Sequence, residues 1–243
     1  MKIKNWTAYL WDCIEIMKSI PDGSIDAIIT DPPFWTTACK WDSVIPFEPM
    51  WKELKRIIKP NGAIVLFGSE PFSSTLRISN LKMYKYDWTW VKENWTGFLN
   101  SKKQPLKNNE TISVFYKEQC TYNPQMRTGH KPYKCKSWRH TENYWDQVQV
   151  VTESNGERYP LNTIEFPRDK EKQHPTQKPV ALIEYLIKTY TQEWETVLDF
   201  TSGSFTTAVA CENTNRKWIC IEQDQWYFDI WINRLNNHNI VSV

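Results

Sequence analysis

The stretch Asp26-Ala27-Ile28-Ile29-Thr30-Asp31-Pro32-Pro33-Phe34 decides how this chain folds. Its first five residues form a short β-branched run that is typical of a buried strand. Pro32 and Pro33 cannot continue a central strand, because proline lacks the amide hydrogen that pairs with a neighbouring strand. We therefore expect the strand to end at Asp31, and a rigid loop with a carboxylate and an aromatic ring to follow it.

Strand and helix patterns alternate after this stretch, in two parts of the chain. Downstream, the apolar spacing predicts an amphipathic helix, a buried strand and a second helix, at Pro49–Lys59, Ala63–Phe67 and Phe72–Asn80. The alternation returns near the C-terminus as helix, strand, helix, strand and helix, at Pro179–Tyr190, Thr196–Phe200, Ser204–Asn213, Trp218–Glu222 and Gln225–Asn236. Such alternation predicts an α/β fold built on a doubly wound, mostly parallel sheet of Rossmann type.

The middle of the chain, about 81–172, is polar, basic and aromatic. Residues 77–140 hold thirteen Lys or Arg and four Asp or Glu, a net charge of +9, so the rest of the chain carries −7. Strand patterns occur at Asp87–Lys92 and Thr111–Tyr116, and Asn100–Asn109 is expected to be a polar loop. A basic, aromatic segment suits a polyanion with stackable bases. The alternative is a solvated surface over core aromatics.

The bulk composition excludes several classes of protein. No apolar run approaches the ~18 residues of a membrane span, and the N-terminus lacks the pattern of a signal peptide. The six cysteines form no CxxC pair, which favours free thiols in a reducing cytoplasm over a zinc site or a disulfide framework. We therefore expect a cytoplasmic, globular protein.

Acidic residues stand at or near the ends of four predicted strands: Asp12, Asp31, Asp199 and Glu222. Open α/β sheets bind ligands beyond the carboxyl ends of their strands. The loop 201–204 leads into a helix, whose first amides can hold an anion, although Ser204 could simply cap that helix. An acid about 23 residues after Asp199, as Glu222 is, commonly binds a ribose diol. Together these residues indicate an adenosine-containing cofactor.

The loop Asp31-Pro32-Pro33-Phe34 carries a different chemistry. A carboxylate and the carbonyl of Pro32, fixed together by the prolines, can accept hydrogen bonds from an exocyclic amine and raise its nucleophilicity. The ring of Phe34 could stack on a base turned out of a duplex. A plain turn after a strand is the alternative interpretation of this loop.

These motifs resemble the amino-methyltransferases of DNA, whose hallmark is [DNS]-P-P-[YF]. Besides that motif, residues 199–207 (DFTSGSFTT) look like the family's cofactor loop, and 174–179 (HPTQKP) look like the segment before it. The order of the motifs is similar to the circularly permuted β arrangement of the family. It implies one methyltransferase domain over 1–243, with a catalytic half at about 1–95, a recognition insertion at about 96–172 and a cofactor half at about 173–243.

The resemblance also implies a role for each matching residue. Asp31 would contact the target amine within Asp31-Pro32-Pro33-Phe34, and Phe34 would stack on the flipped base. Glu222 would hold the ribose of S-adenosylmethionine, and Asp12 would lie near its adenine amine. The methionine part of the cofactor would be surrounded by Thr176, Lys178, Asp199, Gly203, Ser204 and Thr206. No metal or covalent intermediate is required, because the amine attacks the sulfonium methyl directly.

The chain departs from the family at several glycine positions. Phe205 stands where the family usually has Gly, and a benzyl group there could block a ligand's approach to the backbone. Tryptophan replaces a common Gly at 35, 145, 194 and 231, with 138 as a further candidate, in a chain with 14 Trp and 7 Gly. We hypothesise that some of these residues are glycines specified by a reassigned UGA codon; simple divergence is the alternative.

The resemblance implies a site-specific DNA adenine-N6 methyltransferase, because Asp in the first position of the motif favours adenine. Cytosine N4, an RNA substrate, and a catalytically impaired relative that only binds nucleic acid are the alternatives. The implied partner is double-stranded DNA, without a membrane. A cognate restriction endonuclease, a homodimer and a prokaryotic or phage origin are further expectations.

Overall fold

The computed structural model describes residues 2–3, 6–34, 43–137, 150–169 and 177–230. These residues form two compact units, a larger one from within Met1–Asn123 and Asn162–Val243 and a smaller one at Pro124–Leu161. No helix of the described ranges is long and apolar enough to cross a membrane. The larger unit contains β1 (Lys2–Ile3), β2 (Trp6–Leu10), α1 (Cys13–Ser19), β3 (Ile25–Thr30), α2 (Phe47–Ile57), β4 (Ile58–Gly68), α3 (Phe72–Ser79), β5 (Tyr84–Thr96), β6 (Lys107–Phe115), β9 (Thr163–Glu165), α4 (Val180–Tyr190), β10 (Thr196–Asp199), α5 (Thr206–Asn213) and β11 (Lys217–Glu222).

A mostly parallel sheet forms the centre of the larger unit. Its strand order is β1-β2-β11-β10-β3-β4-β6-β5-β9. The run from β2 to β4 in that order is parallel throughout, whereas β6 is antiparallel to both of its neighbours, β4 and β5. The prediction of a doubly wound α/β fold of Rossmann type is confirmed.

Side chains alternate between the two faces of this sheet. From β3, Ala27 and Ile29 pack in one buried cluster with residues of α4 and α5 such as Leu182. The intervening Ile28 packs in a second buried cluster with residues of α1, α2 and α3 such as Met17. A strand buried on both faces reads as a continuous apolar run, which is why the sequence of β3 shows no polar alternation.

Most predicted elements are present, with shifted ends. Helix α2 begins at Phe47 and ends at Ile57, and β4 begins at once. The predicted polar loop is shorter than Asn100–Asn109, because β6 begins at Lys107. The helix expected from Ser204 begins at Thr206, because Phe205 before it has a left-handed backbone with φ 55°. Residues 225–230 are helical as predicted, and the rest of that predicted helix lies outside the described residues.

The smaller unit is a β-hairpin whose two strands are also connected by side-chain contacts. Its strands β7 (Tyr133–Ser137) and β8 (Val150–Ser154) pair antiparallel. Arg158 stacks its guanidinium 4.4 Å from the centre of the Tyr133 ring and donates to the Lys131 carbonyl at 2.7 Å. These contacts hold the two arms of the hairpin together beyond the ladder itself.

Candidate active site

The four acids at strand ends lie side by side. In the sheet, β2, β11, β10 and β3 are parallel neighbours, so their carboxyl ends share one edge. A cavity of about 820 Å³ opens at that edge. Thr176 lies outside the described residues; every other predicted site residue lines the cavity, namely Asp12, Asp31, Pro32, Pro33, Phe34, Lys178, Asp199, Gly203, Ser204, Thr206 and Glu222.

A chain of alternating charges leads to Asp31. The Lys178 ammonium donates a short hydrogen bond to Asp31 Oδ2 and lies 3.4 Å from Glu110 Oε2. Glu110 in turn accepts a short hydrogen bond from Lys92. The other oxygen of this carboxylate, Asp31 Oδ1, is buried and has no hydrogen-bond partner among the described residues. A buried acceptor without a donor is costly, so this oxygen is poised to receive one.

Burial sets the charge state of these groups. It raises the pKa of Asp31 to about 6, against the opposing effect of Lys178. Burial by itself would lower the pKa of Lys178, but Asp31 and Glu110 outweigh it and raise that pKa. Lys178 and Lys92 likewise overcome the effect of burial on Glu110 and lower its pKa. At neutral pH the cavity therefore holds a charged carboxylate next to a charged ammonium.

Hydroxyl groups connect Asp199 with the loop that begins at Asp31. Asp199 accepts hydrogen bonds at 2.6 Å from the hydroxyls of Thr30 and Thr207. The Thr201 hydroxyl lies 2.6 Å from that of Thr30 and donates to the Asp31 carbonyl at 3.1 Å. Burial raises the pKa of Asp199 to about 6, although the hydroxyl donors oppose this effect. The network fixes the end of β10 relative to the end of β3.

Glu222 organises the neighbouring loop through its carboxylate. One oxygen accepts from the Gly203 amide at 2.7 Å, and the other accepts from the amides of Gln223 and Asp224 at 2.9 Å each. Burial raises the pKa of Glu222, while these amides act in the opposite direction. Asp12 at the end of β2 caps α1 by accepting from the Glu15 amide at 3.0 Å. Both carboxylates are therefore held by backbone donors.

Two phenylalanines near the site face different ways. Phe34 lines the cavity, and its ring centre lies 5.5 Å from that of Phe72. Phe205 is fully buried and does not line the cavity; its ring centre lies 5.8 Å from that of Phe228. The ring of Phe205, which could have blocked the approach of a ligand to the backbone, is instead buried in the core and does not line the cavity.

Glu110 and Lys92 were not among the predicted site residues. They belong to β6 and β5, which the sequence presents as part of a basic middle region without a catalytic motif. The available signal was an acidic residue immediately before a predicted strand, two residues before the buried stretch that begins at Ile112. Strands β5 and β6 pair with Trp90 opposite Glu110. This pairing brings Lys92 of β5 and Glu110 of β6 together at the cavity.

Comparison with known proteins adds the family to this geometry. The family of DNA methylases acting on N6 or N4 matches residues 25–233. The chain belongs to the N6/N4 DNA methylase family. It is 27% identical to the type II methyltransferase M.HpaI of Haemophilus parainfluenzae, over 93% of this chain and 73% of that protein. It is 26% identical to the DNA adenine methyltransferase YhdJ of Escherichia coli K12, over 93% of this chain and 81% of that protein.

Solved structures of methyltransferases are similar to this DNA methylase. The complex of M1.HpyAVI with S-adenosylmethionine shares 26% identity and a TM-score of 0.64, over 94% of this chain and 99% of the other. The cytosine-N4-specific PvuII methyltransferase shares the fold, with a TM-score of 0.65 at 18% identity over 97% and 95% of the two chains. The protein is therefore an S-adenosylmethionine-dependent DNA methyltransferase of the N6/N4 family.

The cavity lining fits S-adenosylmethionine. Its volume lies within the range of small-molecule sites, and carboxylates at the ends of β2, β10 and β11 offer acceptors for amine and hydroxyl groups. Gly203 and Ser204, in the loop before α5, also line the cavity. Among the described residues, Asp31 Oδ1 has no hydrogen-bond partner, so it is available to accept a hydrogen bond from a ligand.

Proposed function

We propose that this methyltransferase transfers the methyl group to the exocyclic N6 of adenine in double-stranded DNA. The observation that carries the proposal is Asp31 Oδ1, a buried acceptor without a described partner that lines the cofactor cavity. An exocyclic NH₂ is a donor that satisfies it. Asp in the first motif position and the adenine activity in the name of YhdJ support N6 over N4.

In the proposed mechanism, Asp31 and the Pro32 carbonyl hold the two hydrogens of the amine. This orients the nitrogen lone pair towards the cofactor, where bound S-adenosylmethionine supplies an electrophilic methyl group. A carboxylate with a pKa of about 6 is ionised at neutral pH and can accept the proton that the amine loses. Phe34, braced by Phe72, offers its ring to the base.

The cofactor side of the cavity follows the same proposal. Glu222 holds the ribose hydroxyls, and Asp12 approaches the adenine amine. Asp199, Gly203, Ser204 and Thr206 surround the methionine part together with Thr176. The contact between Lys178 and Asp31 supports a place for this lysine between the methionine part and the target amine. The three regions of the single domain, with the insertion at about 96–172, then serve catalysis, recognition and cofactor binding.

The test is to express the chain in a host without DNA methylation of its own and to sequence modified bases in the host DNA. We expect N6-methyladenine within one short recognition sequence. Asp31→Asn is the matched control, because it keeps the shape of the side chain but removes its charge. It should reduce methylation by about 10²–10⁴-fold while DNA binding in a gel-shift assay changes little.

Other outcomes of the same experiment would contradict the proposal. N4-methylcytosine would replace the adenine assignment within the family. Unmodified DNA, together with no binding of S-adenosylmethionine in calorimetry, would indicate an impaired relative that binds nucleic acid only. An Asp31→Asn variant that methylates as the wild type does would remove Asp31 from the catalytic role.

A further inference from the structure

An ordered loop projects between β5 and β6. Gly97 has φ 90°, which favours glycine, and a single 3₁₀ turn follows at Phe98–Asn100. The amide of Ser101 donates to the Phe98 carbonyl at 3.0 Å, and that of Lys103 donates to the Asn100 carbonyl at 2.8 Å. Consecutive turns of this kind give the loop a defined shape instead of an extended chain.

The tip of this loop carries apolar side chains in solvent. Phe98 is 74% exposed and Leu99 is 97% exposed, with Trp95 and Leu106 also exposed at the base. Single exposed apolar residues are common in proteins, but four within twelve residues form a patch. Apolar side chains stabilise a folded protein when they are buried, and Phe98 and Leu99 are not buried. Their exposure therefore indicates a role in binding instead of in stability.

The loop stands at the rim of the catalytic cavity. Thr96, Gln104 and Lys107, from its two ends, line the same cavity as Asp31. Residues 94–109 include three lysines and no acid, and Lys102 and Lys103 are exposed beside the apolar tip. Positive charge next to an apolar tip complements a duplex, whose phosphates lie outside a stack of apolar base faces.

We propose that Phe98 and Leu99 form a wedge that enters duplex DNA where the target base leaves the stack, while Lys102 and Lys103 hold the adjacent phosphates. The inference rests on the proposed transfer to a base in double-stranded DNA. Such a base must be extruded before its amine can reach Asp31, and extrusion loses its stacking and pairing. Apolar side chains inserted between base steps replace the lost stacking.

The test compares two substrates for the Phe98→Ala/Leu99→Ala variant. One is a duplex with the recognition sequence that base-modification sequencing identifies, and the other is the same duplex with the target opposite an abasic site. We expect kcat/KM to fall by about 10- to 100-fold on the paired duplex and less than about threefold on the abasic one, because an unpaired base needs less help to leave the stack. Both side chains are exposed, so the fold should persist.

Controls separate this wedge from other uses of the patch. Ile78→Ala/Leu81→Ala removes two exposed apolar side chains that do not line the cavity, and it should leave both substrates unaffected. Lys102→Ala/Lys103→Ala should weaken binding to any duplex and reduce its salt dependence. Equal losses on both substrates, or no loss on either, would overturn the wedge.

A second copy of the chain is the competing occupant of the patch. If Phe98→Ala/Leu99→Ala turned a dimer into a monomer in sedimentation, with equal losses on both substrates, the patch would be a subunit interface and the wedge would be wrong. The proposed function fails separately, when the wild-type chain itself methylates no DNA. The two failures are therefore distinguishable in one series of measurements.

Discussion

Asp31 shows how a single carboxylate is tuned by its neighbours. Lys178 and Glu110 act on it in opposite directions, the first lowering and the second raising its pKa, while burial raises it most. Asp199 from β10 also raises it, and Lys92 reaches it only through Glu110. Arg168 and Lys107 complete the charged groups that line this side of the cavity. A tightly paired lysine keeps the buried carboxylate ionised near neutral pH.

We expect kcat to fall as pH drops through about 6, because protonated Asp31 no longer accepts a hydrogen bond from the amine. Glu110→Gln removes a negative charge that raises the pKa of Asp31, so the acidic limb of the profile should move to lower pH. The variant should also turn over more slowly at pH 7.5, because Lys178 then pairs with Asp31 alone. Single-turnover rates from pH 5 to 8 give the measurement.

The matched control is Glu70→Gln, since Glu70 also lines the cavity but pairs with Arg77 at 3.4 Å. Its acidic limb should coincide with that of the wild type. A Glu110→Gln profile that drops uniformly, without a shift along the pH axis, would show that Glu110 only supports the fold. Thermal unfolding of both variants shows how much of each loss is structural.

Trp194 occupies a backbone conformation suited to glycine. It is the third residue of a turn closed by the Glu195 amide on the Gln192 carbonyl, with φ 67° and its side chain 62% exposed. A left-handed backbone is unfavourable for residues with a Cβ atom, and an exposed ring returns little packing energy. This geometry supports the hypothesis of reassigned codons; Trp35, Trp138, Trp145 and Trp231 lie outside the described residues.

Trp194→Gly is expected to raise the free energy of unfolding by about 0.5–1 kcal/mol, as relief of the backbone outweighs the added freedom of the unfolded chain. Trp226→Gly is the matched control, because Trp226 is 63% exposed but helical. It should lower that free energy by about 0.5–1 kcal/mol. Urea denaturation measures both, and equal signs would contradict the argument. The gene itself decides the codon: UGG at position 194 excludes reassignment there.

At Phe205, before the start of α5, an unfavourable backbone conformation is combined with favourable packing of the ring. The backbone at this residue is left-handed immediately before the helix begins, and the ring packs in the core beside Phe228. A glycine would make the same turn without strain but would leave the space of the ring empty. The loss of a buried Phe costs about 3–5 kcal/mol, against about 1–2 kcal/mol for the strain. Packing therefore dominates over backbone strain at this position.

Phe205→Gly should accordingly lower the free energy of unfolding by about 2–3 kcal/mol. The affinity of the folded protein for S-adenosylmethionine should change less than about twofold, because the ring does not line the cavity. Glu222→Ala should weaken the binding of S-adenosylmethionine, since it removes a carboxylate that lines the cavity, and it should also lower the free energy of unfolding, because the Gly203 amide loses its acceptor. Calorimetry and denaturation on both variants are the measurements. A large loss of affinity in Phe205→Gly would mean that the ring shapes the site after all.

The whole chain separates its charges along the sequence. Residues 77–140 carry +9 and the remainder −7, although the total is only +2. The proposed catalytic cavity is lined by more acidic than basic side chains, so most of the phosphate binding has to come from elsewhere. We expect the basic segment, which includes Lys102 and Lys103, to supply the positive charge that binds the phosphates of DNA.

DNA affinity should therefore depend steeply on salt. We expect log K to fall against log salt with a slope of about −4 or steeper between 50 and 200 mM, because each neutralised phosphate releases a counterion. Binding of S-adenosylmethionine in the partly enclosed cavity is the internal control and should change less than about twofold. Fluorescence anisotropy with a labelled duplex gives the slope, and a slope near zero would exclude phosphate contacts by the basic segment.

Local patterns determined the elements and the chemistry of this protein. Asp31-Pro32-Pro33-Phe34 ends a strand because proline cannot pair, and the spacing of apolar residues gave the helices and the two-sided sheet. These properties depend on neighbours in the chain, so a sequence reveals them. The candidate cavity residues followed from the same patterns and from their family resemblance.

Only the tertiary structure decided which residues meet. Asp12, Glu222, Asp199 and Asp31 become neighbours in that order because the strands are arranged β2-β11-β10-β3, which no local signal encodes. Strand pairing likewise brings Glu110 and Lys92 to Lys178, and burial then shifts the pKa of Asp31. The direction of the Phe205 ring followed from one backbone angle. Contacts between distant segments and the loss of solvent around them are properties of the packed chain, and they set the charge state of the site.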